Sequence, residues 1–265
     1  MKVGVVGCAG RMGRMLVAEV LTNEYLTLVG GTEHKESNVL GQDIAALAGH
    51  DEAGIVVGSD TDSLFELADV VIDFTLPQAT ISHSQSAINH GTALIIGTTG
   101  LNKEEQAAVI NASKSVAIVQ AANFSVGVNL LLALTSQVAG VLGNEYDVEV
   151  YEMHHRHKVD APSGTALALG QAAADGRGVD LDSVSERVRD GYTGVRSSGS
   201  IGFASLRGGD VVGDHSIFFA AEGERIELTH KASCREVFAR GAVRSAKWCE
   251  HKAPGLYSMR NVLGL

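Results

Sequence analysis

The first half of the chain alternates short apolar runs with stretches of helical period. Val3-Gly4-Val5-Val6 predicts a buried strand, and 11–21 follows with Met12, Met15, Leu16 and Val20 at helical spacing. Further strands are expected at 26–29, 70–74, 93–96 and 116–119, with helices at 78–90 and 103–113. Strands that read as apolar on both faces, each followed by a helix, predict a parallel sheet covered on both sides. After Asn123 the pattern changes. A long apolar helix is expected at 128–141, then strands at 148–152, 216–220 and 225–229, interrupted by a helix starting near Ser163 and another at 236–249. The Gly- and Ser-rich stretch 190–202 reads as a long loop. The fold class is therefore α/β: a Rossmann-like doubly wound parallel sheet, with a second α+β region carrying an open mixed or antiparallel sheet.

Composition narrows the function. Asp and Glu number 31 against 21 Lys and Arg, a net charge of -10, so the basic surface that nucleic-acid binding needs is missing. Three well-separated cysteines, Cys8, Cys234 and Cys249, form neither a disulfide framework nor a zinc motif, which points to a reducing compartment. No apolar run approaches the roughly 20 residues that span a bilayer, and the N-terminus enters a glycine motif without a leader peptide. The expectation is a soluble, cytoplasmic protein with neither nucleic acid nor membrane as partner.

The glycine motif is Gly7-Cys8-Ala9-Gly10-Arg11-Met12-Gly13, set between the first strand and the first helix. Missing side chains let the backbone approach a pyrophosphate, whose charge faces a helix N-terminus. Glu33 lies about 20 residues further on, where a carboxylate can accept from the adenosine ribose hydroxyls. That carboxylate repels a 2′-phosphate and favours NADH. His34 and Lys35 follow at once; they either pair with that phosphate, as NADPH use would require, or form a solvated loop. Gly97-Thr98-Thr99-Gly100 and Ala121-Ala122-Asn123-Phe124-Ser125 close two further strands. They are either ordinary turns or contacts to the nicotinamide half, since ligands bind beyond strand carboxyl ends.

His154-His155-Arg156-His157-Lys158 is the most unusual pentapeptide. Continuing the preceding strand through it would put His154, Arg156 and Lys158 on one face. Metal binding, a solvated charge run and an anion site with proton transfer all use such residues. Metal lacks the helical i, i+4 histidine pair and any completing Cys or Asp cluster, so no metal site is expected. The following Asp160-Ala161-Pro162-Ser163-Gly164-Thr165 marks a helix start, whose N–H groups can hold a carboxylate. This favours a small dicarboxylate substrate with proton transfer from histidine or lysine.

Together Gly7 to Gly13, Gly97 to Gly100, Ala121 to Asn129 and Glu152 to Thr165 resemble the dihydrodipicolinate reductase family, also called 4-hydroxy-tetrahydrodipicolinate reductase. The His-His-Arg-His-Lys-Val-Asp-Ala-Pro-Ser-Gly-Thr string is the most specific part, and the likeness covers the whole chain. It implies an enzyme of diaminopimelate and lysine biosynthesis that uses NADH or NADPH. It implies a cofactor domain of residues 1–125 and 236–265, and a substrate-binding and oligomerisation domain of residues 126–235 that builds a homotetramer. The return near 236 follows only from the resemblance. The resemblance further implies cofactor contacts at Gly7, Cys8, Ala9, Gly10, Arg11, Met12, Glu33, Gly97, Thr98, Thr99, Ala121, Ala122, Asn123 and Phe124. His34 stands where many members carry the arginine that meets the 2′-phosphate. His154 takes the proton donor's place and Lys158 that of the second proton-donating residue. His155, Gly164 and Thr165 fall at the substrate contacts.

Overall fold

The computed structural model describes residues 1–265. The chain divides into two compact units, Met1–Val126 with Glu236–Leu265, and Gly127–Arg235. In the first unit, β1 (Lys2–Val6), α1 (Arg11–Leu21), β2 (Thr27–Thr32), α2 (Ile44–Leu47), β3 (Val57–Gly58), α3 (Thr61–Leu67), β4 (Val70–Asp73), α4 (Pro77–His90), β5 (Ala93–Ile96), α5 (Lys103–Ala112) and β6 (Ala117–Gln120) follow in order. The second unit carries α6 (Val126–Leu142, its first residue still in the first unit), β7 (Asp147–His154), α7 (Gly164–Arg177), α8 (Leu181–Val184), β8 (Ser185–Glu186), β9 (Ile201–Arg207), β10 (Gly213–Ala221) and β11 (Glu224–Ala232). The chain returns to the first unit through α9 (Glu236–Cys249), β12 (Gly255–Tyr257) and α10 (Met259–Leu263).

The first sheet has the order β12-β6-β5-β4-β1-β2-β3, and every neighbouring pair is parallel. Its strands are apolar on both faces because helices cover both. On one side Leu16, Val17 and Val20 of α1 join Ala239, Ala242, Val243 and Ala246 of α9 against Val3, Val5 and Ile72. On the other, Leu64 and Phe65 of α3, Ala87 of α4 and Val109 of α5 cover Val6, Val71, Leu94 and Ile118. Two small positions fix this packing. A Cβ on Gly4 would lie 2.9 Å from Leu64 Cδ1, and one on Gly241 would lie 2.7 Å from the Phe124 carbonyl carbon. The architecture is the expected Rossmann-like doubly wound sheet.

The second sheet, β11-β10-β7-β9-β8, is mixed: β7 runs antiparallel to β10 and parallel to β9. Its inner face, with Val148, Val150, Ile201, Phe203, Ile217 and Phe219, packs on Leu169 and Ala173 of α7 and on Leu131 and Ala139 of α6.

Three expectations need correction. Regular structure resumes inside the expected 190–202 loop, because Ile201, Gly202 and Phe203 are buried in β9. Gly202 stands opposite Glu149 of β7 in the strand register, and a Cβ there would sit 2.5 Å from Glu149 Oε1. β7 stops at His154, and the basic residues form a turn instead of a strand extension. Lys158 N donates to His155 O at 3.1 Å, and Gly208 N to His154 O at 2.9 Å. Finally, the 20-residue helical stretch Val126–Glu145 is long and apolar enough, by length and composition, to cross a membrane. Asn129, Thr135, Ser136 and Gln137 interrupt its apolar run and hide it from a search for continuous hydrophobicity. Its Val128, Leu131, Thr135 and Ala139 are buried within the protein.

Candidate active site

β1 and β4 are neighbours, but the connection from β1 leads to β2 on one side and β4 continues to β5 on the other. This is the switch point of the sheet, where a crevice opens beyond the strand ends. A cleft of about 570 Å³ lies there, lined by Gly7, Gly10, Glu33, His34 and Lys35 among the expected residues. Gly7 has φ +66°, in the left-handed region that glycine enters without strain. A Cβ on Gly13 would overlap the Gly7 carbonyl oxygen and lie 2.7 Å from Cys8 Cα, so α1 packs backbone-close on the turn. Gly10 caps α1 without any side-chain hydrogen bond, and the first turn holds no acidic residue. The N-terminal amides of α1 thus meet no carboxylate from the helix itself, which fits an anionic group.

Ala9 N donates to Glu33 Oε1 at 2.7 Å, which ties the end of β2 to the glycine turn. His34 and Lys35 are exposed at the rim. The buried Cys8 is a packing group: burial first, then the nearby Glu33 charge, pushes its thiol up to about 12. Arg11 and Met12 open α1.

The cleft lining also includes Ser59, Thr61, Phe74, Thr75, Leu76, Ala79 and His83, which no sequence motif singles out. The rule that ligands meet strand carboxyl ends applies to the stretch after β4 as it does to those after β1, β5 and β6, and would have pointed to it. Phe74 gathers the remaining loops. A Cβ on Gly97 would lie 2.6 Å from Phe74 Cδ1, and the Phe74 and Phe124 rings stand 5.3 Å apart. Thr98 Oγ1 accepts from Thr75 N at 3.1 Å and donates to Asp73 Oδ1 at 3.2 Å. Thr99 and Ala122 are exposed, and Asn123 Oδ1 accepts from Ser125 N at 2.8 Å. Ala121 N donates to Ile96 O at 3.1 Å, joining the ends of β5 and β6.

Asp73 is wholly buried and meets His83 Nδ1 at 2.7 Å. Burial alone would raise its carboxyl, but hydrogen bonds from His83 and Thr75 outweigh it and hold the pKa below the usual range.

In the second unit the pleat of β7 points Glu152 and His154 to the same buried face. His154 Nδ1 lies 2.5 Å from Glu152 Oε2. Glu152 also accepts two bonds from the Arg207 guanidinium, at 2.9 and 2.8 Å, and one from Ser163 N at 3.2 Å. Burial pushes this carboxyl up, yet the donors Arg207, His154 and Ser205 prevail and lower it. His154 itself is lowered: desolvation leads, and the Glu152 contact opposes it.

His215 on β10 stands edge-on to His154, with ring centroids 5.0 Å apart, and its Nε2 lies 3.2 Å from Ser163 Oγ. Burial first, then the His154 charge, depresses the His215 imidazole to about 4, and its Nδ1 has no hydrogen-bond partner.

Ser163 is the N-cap of α7, and its Oγ accepts from Ala166 N at 3.2 Å. Gly164 and Thr165 form the first turn of that helix, and a Cβ on Gly164 would meet nothing within 4 Å. Lys158 Nζ pairs with Asp160 Oδ1 at 2.8 Å. His155 is half-buried, its Nδ1 unpartnered and its ring 6.2 Å from that of His157. The turn holds Lys158 near enough for its charge to act on His154 and leaves Arg156 and His157 exposed.

Glu152 is legible in principle, because period-two alternation pairs it with His154. Arg207 and His215 come from β9 and β10, and nothing local in the sequence points to them.

A cleft of this kind takes a dinucleotide, and a histidine held in this way can exchange a proton at its outer nitrogen. The cleft of the first unit and the histidine of the second, each taken by itself, are features of a dinucleotide-dependent oxidoreductase. Comparison with known proteins agrees. Residues 1–124 match the family profile described as dihydrodipicolinate reductase, N-terminus, and residues 127–263 the one described as dihydrodipicolinate reductase, C-terminus. The 4-hydroxy-tetrahydrodipicolinate reductase of Roseobacter denitrificans is 51% identical over 265 residues, which is 100% of this chain and 97% of that protein. Its counterpart from Magnetococcus marinus is 50% identical over 263 residues, 99% of this chain and 98% of that one. Among solved structures, a dipicolinate-bound dihydrodipicolinate reductase from Paenisporosarcina sp. TG-14 superposes with a TM-score of 0.78 at 26% identity, covering 97% of each chain. A UDP-N-acetylglucosamine 3-dehydrogenase from Acidithiobacillus ferrooxidans, at 15% identity and a TM-score of 0.59, shares the fold alone. The chain belongs to the dihydrodipicolinate reductase family, and membership carries with it a nicotinamide cofactor.

Proposed function

We propose that this protein reduces 4-hydroxy-tetrahydrodipicolinate to tetrahydrodipicolinate, by way of dihydrodipicolinate, in diaminopimelate and lysine biosynthesis. The observation that carries the reading is His154: buried, and clamped at Nδ1 by a carboxylate that also accepts from Ser163 N, the N-cap of α7. With Nδ1–H committed to Glu152, the proton that comes and goes is the one on Nε2.

The substrate is a small cyclic imine with two carboxylates, and loss of its 4-hydroxyl as water leaves a conjugated diene-imine. The nicotinamide, when bound, supplies hydride to ring carbon 4. His154 Nε2–H then protonates the adjacent ring carbon and returns to the neutral ring. Lys158 neutralises a carboxylate or the charge developing on the ring, and it exchanges Asp160 for the substrate to do so. Gly164, Thr165 and His155 hold the substrate, the first two through the amides at the start of α7.

In the first unit, Gly7, Cys8, Ala9, Gly10, Arg11 and Met12 cradle the pyrophosphate, and Glu33 takes the adenosine ribose hydroxyls. Gly97, Thr98, Thr99, Ala121, Ala122, Asn123 and Phe124 border the nicotinamide half. NADH is preferred, because Glu33 opposes a 2′-phosphate; exposed His34 offers a weaker contact to that phosphate than arginine would, which leaves NADPH as the second cofactor. The assembly is a homotetramer, supported by β11, a nine-residue strand at the open edge of the mixed sheet. A cytoplasmic location is supported by three free cysteines, of which Cys8 and Cys249 are buried thiols pushed up to about 12.

The test is a coupled absorbance assay with the cyclic imine, run with NADH and NADPH in parallel. His154→Ala is expected to lower kcat by roughly 10²–10⁴-fold, with affinity for NADH little changed. Wild-type turnover in that variant would remove His154 from the chemistry.

A further inference from the structure

We propose that Glu152 is the positioning residue for proton delivery: its carboxylate fixes the ring of His154 and the start of α7 to one another. The inference rests on the reading of His154 as proton donor.

Glu152 is completely buried, and a buried carboxylate is tolerated only when paired and hydrogen-bonded. Arg207 already supplies both: its guanidinium meets the two carboxylate oxygens at 2.9 and 2.8 Å and balances the charge. Structural neutrality therefore does not need His154. The further contacts are directional. Oε2 meets His154 Nδ1 at 2.5 Å, and Oε1 accepts from the backbone N of Ser163 at 3.2 Å. One rigid group thus holds the acid and the first turn of the helix whose amides take the substrate's carboxylate. It also selects the tautomer, since an anionic acceptor at Nδ1 leaves the exchangeable proton on Nε2.

The groups around this centre are few. Arg207 approaches from β9 and His215 from β10, with His230 beyond it on β11; Lys158 and Asp160 come from the segment after β7, and α7 adds the Ser163 hydroxyl. Glu152 is the one carboxylate that touches the His154 ring, so its removal leaves His154 among cations.

Glu152→Gln keeps the shape and removes the charge. The amide can donate to Nδ1, which places the neutral ring's proton on Nε2 and disfavours the imidazolium. The expected result is a kcat lowered by roughly 10–100-fold, with KM for NADH unchanged. The alkaline limb of the kcat profile moves to lower pH, because the acid loses its proton more readily. Glu152→Asp, which keeps the charge, should leave that limb near its wild-type position even where kcat falls; it also serves if the glutamine variant does not fold.

The deciding measurement is the double variant Glu152→Gln/His154→Gln. If Glu152 acts through His154, the double variant turns over no more slowly than His154→Gln alone. An equal loss from Glu152→Gln in both backgrounds, or an unmoved pH limb, overturns the proposal. Full activity in His154→Gln overturns instead the assignment of the proton donor on which it rests.

Discussion

His215 provides a pH-dependent stability that can be worked through in numbers. Its side chain is almost entirely inside the second unit, between His154 and the N-cap serine of α7, and burial holds the imidazole at about 4. An unfolded histidine titrates near 6.5, so the native state binds fewer protons than the unfolded state between those values. The folded pKa is depressed, and the contribution is therefore complete above about 6.5 and lost as the pH falls towards about 4. Each unit is worth about 1.4 kcal/mol, which gives roughly 3 kcal/mol in full and about 2 kcal/mol between pH 7.5 and pH 5. His215→Gln keeps an amide near Ser163 Oγ and removes the titration. The assay is urea unfolding of both proteins at the two pH values, at one protein concentration. The wild type should lose about 2 kcal/mol more than the variant between pH 7.5 and pH 5. Equal losses would show that His215 is not held neutral by burial.

Other perturbations address the first unit. Gly13→Ala pushes a Cβ onto the Gly7 carbonyl and to 2.7 Å from Cys8 Cα, and is expected to weaken dinucleotide binding by at least about tenfold in a fluorescence titration. Wild-type affinity would mean that the turn does not seat the cofactor. His34→Arg should raise the ratio of kcat/KM for NADPH over NADH by about tenfold, by adding a bidentate phosphate contact beside Glu33; an unchanged ratio would place the 2′-phosphate elsewhere. Gly241→Ala crowds the Phe124 carbonyl carbon at 2.7 Å and should destabilise the protein by about 1–3 kcal/mol, seen as a lowered Tm.

Much of this molecule is legible from residue patterns because the parallel sheet buries its strands on both faces. Runs such as Val3 to Val6 and Ala93 to Ile96 have no amphipathic compromise to blur them, and α1 and α9 begin and end where the pattern says. Legibility fails where an element is short or its burial is set from a distance. β3 has two residues and β12 three, too few to show a period. The start of β9 reads as a loop because 190–202 is rich in Gly and Ser, whereas the buried Ile201, Gly202 and Phe203 already belong to the strand. At the site, the glycine turn and the basic stretch announce themselves through unusual residue types. Glu152 lies two positions before His154 on the same strand, whereas Arg207 and His215 are ordinary residues on β9 and β10 that only the sheet's register brings to His154.

The return of α9 to the first unit sets an order of assembly. Ala239, Ala242, Val243 and Ala246 complete the hydrophobic layer over Val3, Val5 and Ile72, yet they are made after the whole of the second unit. A nascent chain leaving the ribosome therefore carries a half-covered nucleotide fold while the contiguous second unit is able to close on itself. A chain ending before Glu236 would lack that layer altogether.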